Sequence, residues 1–186
     1  MTLGKTLYVK DRKQWRKWLS KNYNEEKEIW LIYYKKSSGK PRIPYNDAVE
    51  EALCYGWIDS TVKSINKESF AQRFTPRSPK SQLSIMNEER VRRLIKEKKM
   101  TRAGLNAISH TFDKNKKEKL KIAPDILKKL KENKEAWKNF QNFPESYKKI
   151  RIGYIESRRE RPDLFKSSLN NFIKMTSKNK KFGMFR

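Results

Sequence analysis

The chain has 186 residues, 46 of them Lys or Arg against 21 Asp or Glu, for a formal net charge of +25. That length suits one large domain or two small ones with a core that needs no staples, and the single cysteine, Cys54, excludes an internal disulfide. No apolar run approaches the roughly 18 residues of a membrane span, and the amino terminus is not a basic-then-apolar leader, so a cytoplasmic protein is expected.

Leu7 to Val9 reads as a short strand. Asp11 is a candidate N-cap with Gln14 three residues on, opening a helix that brings Trp15, Trp18 and Leu19 together as core. Glu28 to Tyr34 is β-branched and aromatic, and too short for a buried helix, so it is expected as a central strand. A basic Gly- and Ser-bearing loop, 35–42, leads through Pro44 into the stretch around which the chain is organised, Tyr45 to Ser84. At about 100° per residue, Ala48, Val49, Ala52, Leu53 and Gly56 share one side of a helix, while Asp47, Glu50, Glu51 and Cys54 share the other. The acids suit the positive end of the helix dipole, and Gly56 suits a left-handed stop. Trp57 to Ile65 then reads as a strand, Asn66 to Ser69 as a turn, and Phe70 to Thr75 as the returning strand, ended by Pro76. On that second strand Phe70, Gln72 and Phe74 share a face, with Arg73 and Thr75 on the other.

Asn87 is the expected N-cap of a helix carrying Val91, Leu94 and Ile95, and Thr101 caps another carrying Leu105, Ile108 and Phe112. Residues 113–123 read as a charge-rich linker. From Pro124 the pattern is helical: Ile126, Leu127 and Leu130; Trp137 and Phe140; Tyr147, Ile150, Tyr154 and Ile155; then Phe165, Leu169, Phe172 and Ile173 after Pro162. The expected class is α+β: a small, largely antiparallel sheet with packed helices over 1–112, a helical bundle over 124–176, and a mobile basic tail over 177–186.

No standard catalytic set is present. His110 is the only histidine, and Ser109 beside it makes no nucleophile elbow. Cys54 has no nearby sulfur or histidine, so neither a metal site nor a cofactor fingerprint is read. The acidic set of Asp47, Glu50, Glu51 and Asp59 is the group open to acid–base work or to binding a hard cation, or else it is a solvated helix face. Arg73 and Arg77 offer planar donors to it, making either a structural ion-pair network or a polar pocket. That candidate pocket comprises Asp47, Glu50, Glu51, Cys54, Trp57, Asp59, Arg73, Thr75, Arg77, Ser81, Ser84 and Asn87.

At these residues the sequence resembles the YdeI/OmdA-like family, described as bacteriocin-protection, YdeI or OmpD-associated proteins. The resemblance is carried by DAVEEALCYGWIDS, ending at Ser60, and by RFTPRSPKS, NEERVRRLI and MTRAGLNA between Arg73 and Ala107. It extends more weakly through PDILKKL, AWKNF and PESYKKI. Leu83 stands where the family usually has Trp, and Arg161-Pro162-Asp163-Leu164 interrupts its usual Thr-Arg pair. The resemblance implies a role in protection against bacteriocins or antimicrobial peptides, or in stress response, and no settled reaction. Three readings follow: a non-enzymatic protein whose pocket takes a small or peptidic ligand, a nucleic-acid-binding module using the lysine-rich helices, or an enzyme using the acidic helix.

The positive charge is spread over both halves and is mostly lysine, which fits a soluble basic surface and weak, sequence-independent nucleic-acid binding. Such binding is expected at low salt only. A log–log slope of affinity against salt shallower than about −2 excludes an interface that neutralises several phosphates, because each one neutralised releases a counterion.

Overall fold

The computed structural model describes residues 3–113 and 119–183. The chain divides into two compact units, 1–114 and 115–186. Of the expected linker, residues 114–118 lie outside the described residues, as do residues 184–186 of the expected tail.

In the first unit the elements are β1 (Thr6–Leu7), α1 (Arg12–Asn22), β2 (Ile29–Tyr34), α2 (Tyr45–Cys54), β3 (Trp57–Ser64), β4 (Ser69–Pro76), α3 (Ile85–Lys96) and α4 (Arg102–Ile108). The sheet order is β1-β2-β4-β3, with β1 parallel to β2 and the other pairs antiparallel. This is the expected α+β class, with β2 inside the sheet. Cross-strand partners share a face. Ile29, Leu31 and Tyr33 therefore lie beside Phe74, Gln72 and Phe70 on one face, and Asp59 joins them opposite Phe74.

Indole rings fasten helices to that face. Trp15 is fully buried, donates to the Ala48 carbonyl at 3.0 Å, stacks on Trp18 and meets Phe74. Trp57 donates to the Tyr23 carbonyl at 3.0 Å and packs edge-on against Trp18. On β3 the pairing shifts register between Asp59 and Val62, and the Gln72 side-chain amide donates to the Ser60 carbonyl at 3.1 Å there.

Asp11 caps α1 through Gln14 N–H as expected. The α3 cap is Ser84 and not Asn87: Ser84 accepts from the Asn87 N–H, so the helix starts nearer the chain's amino end than expected. Asn87 already lies inside the helix, and its side chain is engaged by Arg90 instead. Gly56 has the expected positive φ of 77° and ends the α2 turn.

The second unit comprises α5 (Pro124–Glu132), α6 (Lys134–Asn142), α7 (Glu145–Glu156) and α8 (Pro162–Ser177). Ile126, Leu130, Phe140, Tyr147, Ile155, Leu169 and Phe172 form its core. Asn139 on α6 donates to the terminal carbonyls of α8 at Thr176 and Ser177, filling acceptors the helix leaves open. The segment expected to trail as a tail is tied down through residue 182: Phe182 N–H donates to the Tyr147 hydroxyl at 3.2 Å, and its ring lies under Arg151.

Backbone of α4 closely approaches the end of α2. Thr101 donates to the Cys54 carbonyl through both N–H and hydroxyl, at 3.1 and 2.6 Å, and a Cβ added at Gly104 would overlap that same carbonyl. Backbone cannot yield as a side-chain tip does. Gly104→Ala should therefore lower stability by about 1–3 kcal/mol in chemical denaturation, and an unchanged midpoint contradicts this packing.

Candidate functional site

The acidic residues of α2 are held by arginines, though not by the ones expected. Glu50 and Glu51 are each 2 % exposed and Cys54 is fully buried, whereas helical periodicity alone puts all three on a solvated face. The difference arises because α2 packs against both α1 and α3, so its polar side is covered too. Arg12 donates from Nε to Glu51 and from Nη2 to Glu50 at 2.9 Å, and reaches Asp47 at 3.3 Å. Arg16 bonds Glu51 at 2.7 Å and the Lys99 carbonyl at 3.0 Å, and Arg93 takes the other oxygen of Glu50. Burial disfavours the charge on Arg12 and Arg16, but the hydrogen bonds and field of Glu51, joined at Arg12 by Glu50, outweigh it and raise both. Burial, reinforced by Glu51, pushes the Cys54 thiol up to about 11 against the pull of Arg16 and Arg12, so this sulfur is not a reactive thiolate.

Arg73 and Arg77 do not complete this set. Arg73 lies on the opposite face of the sheet and bonds Glu28 through Nε at 2.8 Å and through Nη2, lowering the Glu28 carboxyl. Thr75 shares that face two residues on, paired with Ile58. Arg77 is buried and donates to the Gln82 carbonyl at 2.9 Å. Ser81 bonds the Ser78 carbonyl, and Ser84 is spent on its cap. Trp57 belongs to the aromatic core. Among the described residues, no group of three or more His, Cys, Asp and Glu is placed to hold a metal ion. No helix among them is long and apolar enough to cross a membrane.

Asp59 and Asn87 belong to a different cluster. It gathers at the amino end of α2, and most of its members do not stand out in the sequence. Tyr45 donates to Asp59 at 2.6 Å. Arg90 on α3 donates to Asn87 at 2.9 Å and to Asn46 at 2.7 Å, two neutral amides. Burial lowers the Arg90 guanidinium, opposed at longer range by Glu50, Tyr45 and Asp59. Tyr33 contributes a buried hydroxyl with no hydrogen bond, raised by burial and by the nearness of Tyr45 and Asp59, with Arg42 opposing. Arg42 lies over the stacked rings of Tyr33 and Phe70 at 5.8 Å from each. Burial and Asp59 likewise raise Tyr45. Both phenols thus stay neutral and act as hydrogen-bond donors or acceptors, beside two guanidiniums and one carboxylate.

A signal for these residues was available. In a lysine-rich chain an arginine can mark a position where a planar, weakly hydrated cation is held away from bulk water, although Arg102, Arg159 and Arg161 are exposed. Arg12, Arg16, Arg42, Arg90 and Arg93 are such positions. A separate open cleft of about 340 Å³ lies between β1 and α1, lined by residues that include Tyr8, Val9, Lys17 and Trp18, and none of the expected site residues borders it.

Residues 119–179 match the family model described as Bacteriocin-protection, YdeI or OmpD-Associated, and residues 7–107 match the one described as Domain of unknown function (DUF8412). The chain belongs to the family described as Domain of unknown function (DUF8412), and its helical region, 119–179, is YdeI/OmdA-like. The motifs from DAVEEALCYGWIDS to MTRAGLNA all fall in the DUF8412 match, while the OmdA match covers the helical region of this YdeI/OmdA-like chain. No curated protein and no solved structure matches it.

The acids of α2 are paired with Arg12, Arg16 and Arg93, whereas Arg73 is paired with Glu28. Arg12→Ala leaves Glu50 and Glu51 buried with reduced compensation and should cost about 3–5 kcal/mol of stability. Arg73→Ala breaks a pair whose side chains are 37 % and 33 % exposed, and should cost about 0–1 kcal/mol. Equal losses in urea denaturation contradict this assignment.

Proposed function

We propose that this YdeI/OmdA-like chain is a non-enzymatic cytoplasmic protein of stress response or protection against bacteriocins and antimicrobial peptides. Its first unit binds a small or peptidic ligand through the Tyr45–Asp59–Arg90 cluster, and 124–176 forms a separate helical domain beyond the 113–123 linker. The observation that carries this reading is Arg90: a largely desolvated guanidinium whose own hydrogen bonds go to the amides of Asn46 and Asn87 and not to a carboxylate. A second guanidinium, Arg42, and an unbonded buried hydroxyl, Tyr33, lie beside the same Tyr45–Asp59 pair. Neutral amides orient Arg90 without neutralising it, which favours a ligand bearing an anionic group.

Catalysis by the acidic helix is disfavoured because Glu50 and Glu51 are buried against guanidiniums. The net charge bears on the kind of protection. At +25 the protein repels cationic peptides over a distance, so direct sequestration of such peptides is the weaker route and an anionic effector the stronger one.

The test is a thermal-shift and calorimetric screen at constant ionic strength with nucleotides, dicarboxylates, short acidic peptides and short cationic peptides. Saturable stabilisation by an anionic compound is expected, weakened at least tenfold in Arg90→Gln and altered in selectivity in Asp59→Asn. Binding confined to cationic peptides, or unchanged in Arg90→Gln, overturns the assignment.

A further inference from the structure

The RFTPRSPKS motif is not absorbed by the cluster around Arg90, and its central arginine is unusual for this molecule. Arg77 is 7 % exposed, and its backbone N–H is committed to the Gly56 carbonyl at 2.9 Å. Its guanidinium makes one hydrogen bond, from Nη2 to the Gln82 carbonyl at 2.9 Å, while Nε and Nη1 are buried without a partner. Burial alone accounts for its lowered affinity for a proton, so no carboxylate answers its charge. Arg12, Arg16 and Arg93 meet glutamates and Arg90 meets two amides. Arg151, equally buried and with its own Nε unpartnered, lies over the rings of Phe182 and Tyr154, so among the described residues Arg77 is the guanidinium with two buried, unpartnered nitrogens.

The segment over Arg77 is organised and polar. Ser81 N–H and hydroxyl both donate to the Ser78 carbonyl, at 2.9 and 2.7 Å, and Lys80 N–H donates to the Ser78 hydroxyl at 3.3 Å. His110 reaches the Ser81 carbonyl at 3.2 Å, and Leu83 anchors the end of the segment in the core. Ser78, Pro79, Lys80 and Gln82 are exposed, and the guanidinium is tied to this segment through the Gln82 carbonyl. An ionised, desolvated guanidinium with two unused donors is unfavourable as it stands, and an oxygen anion is the group that satisfies both its charge and its N–H donors.

We infer that Arg77, beneath the 78–82 segment, is the receptor for an oxyanion, a phosphate or a carboxylate group, at a site separate from the Arg90 cluster. The unused Nε and Nη1 donors bind the anion oxygens, and the Ser78 hydroxyl proton and Lys80 at the rim are the neighbouring donors. The shared chemistry is a compact group with at least two acceptor oxygens. Phosphate and carboxylate sources differ in charge and are separated by titrating each alone.

The experiment is thermal unfolding of the full chain at constant ionic strength in a chloride background, titrated with inorganic phosphate and separately with acetate. One of the two should raise the unfolding temperature along a saturable curve in the wild type, and in Lys67→Ala, which removes only an exposed charge in the β3–β4 turn. Arg77→Met should lose the saturable part of the response. Should Arg77→Met not fold, Arg77→Lys keeps the charge but not the fork, and its half-saturation should move at least tenfold higher. No saturable response to either anion in the wild type overturns the inference, as does a response that Arg77→Met or Arg77→Lys shares unchanged. Loss of ligand binding in Arg90→Gln with the anion response intact refers only to the Arg90 cluster.

Discussion

Two adjacent glutamates that cannot reach water set the arrangement of the first unit. Glu50 and Glu51 occupy neighbouring positions on α2, and burying two carboxylates side by side is tolerable only if cations come with them. The cations arrive from elsewhere in the chain: Arg12 and Arg16 from α1, Arg93 from α3. Arg12 bridges both glutamates, Arg16 goes on to the Lys99 carbonyl just before α4, and Arg93 also takes Glu97 at the C-cap of its own helix. One doubly acidic turn therefore fixes the approach of α1 and α3 and the start of α4. A planar fork suits this task better than an ammonium, because each guanidinium serves at least two acceptors at fixed geometry. The apolar core on the other side of α2 supplies most of the burial, and the ion pairs decide which helices cover the polar side.

That arrangement also explains what could be read in the sequence and what could not. Strand and helix positions followed from β-branched runs, from Pro and Gly punctuation and from 3.6-residue spacing, and these are local properties. The polar side of α2 stays open in the sequence, between a solvated face and an ion-pair network, because periodicity reports that a helix has two unlike sides and does not report what covers the second one. Arg73 shows a similar limit. Asp59 and Phe74 are indeed cross-strand partners, so the hairpin does return the chain beside Asp59. Yet the alternation that separates Arg73 from Phe74 sends its guanidinium to the far face, where Glu28 waits. Local backbone proximity was legible, and side-chain proximity required the face as well. The Asn87 cap failed for a related reason, since Ser84 and Asn87 are both good cap residues and the tertiary use of Asn87 by Arg90 separates them.

The cluster around Asp59 was invisible for a different cause. Its members come from β2, the 35–44 loop, α2, β3 and α3, and Tyr33, Arg42 and Arg90 have no sequence spacing in common. The contrast between arginine and lysine distinguishes Arg42 and Arg90, and nothing in the sequence distinguishes Tyr33. The contrast is informative because lysine is the background cation here, so each arginine is a departure from it.

The large net charge and the buried arginines are separate phenomena. Most of the 46 basic residues face water, where the fields of exposed charges fade over about 8 Å at physiological ionic strength. They attract anions without selecting among them. Arg90 and Arg77 are shielded from that screening, and each is oriented by neutral groups, two amides in one case and a carbonyl in the other. A cation held in place by neutral partners keeps its charge for an incoming group, whereas Arg12, Arg16 and Arg93 have theirs consumed by glutamates. The same residue type thus has two kinds of surroundings in one unit, and the identity of its hydrogen-bond partners, acidic or neutral, separates the arginines that hold the fold from Arg90 and Arg77, on which the two ligand proposals rest.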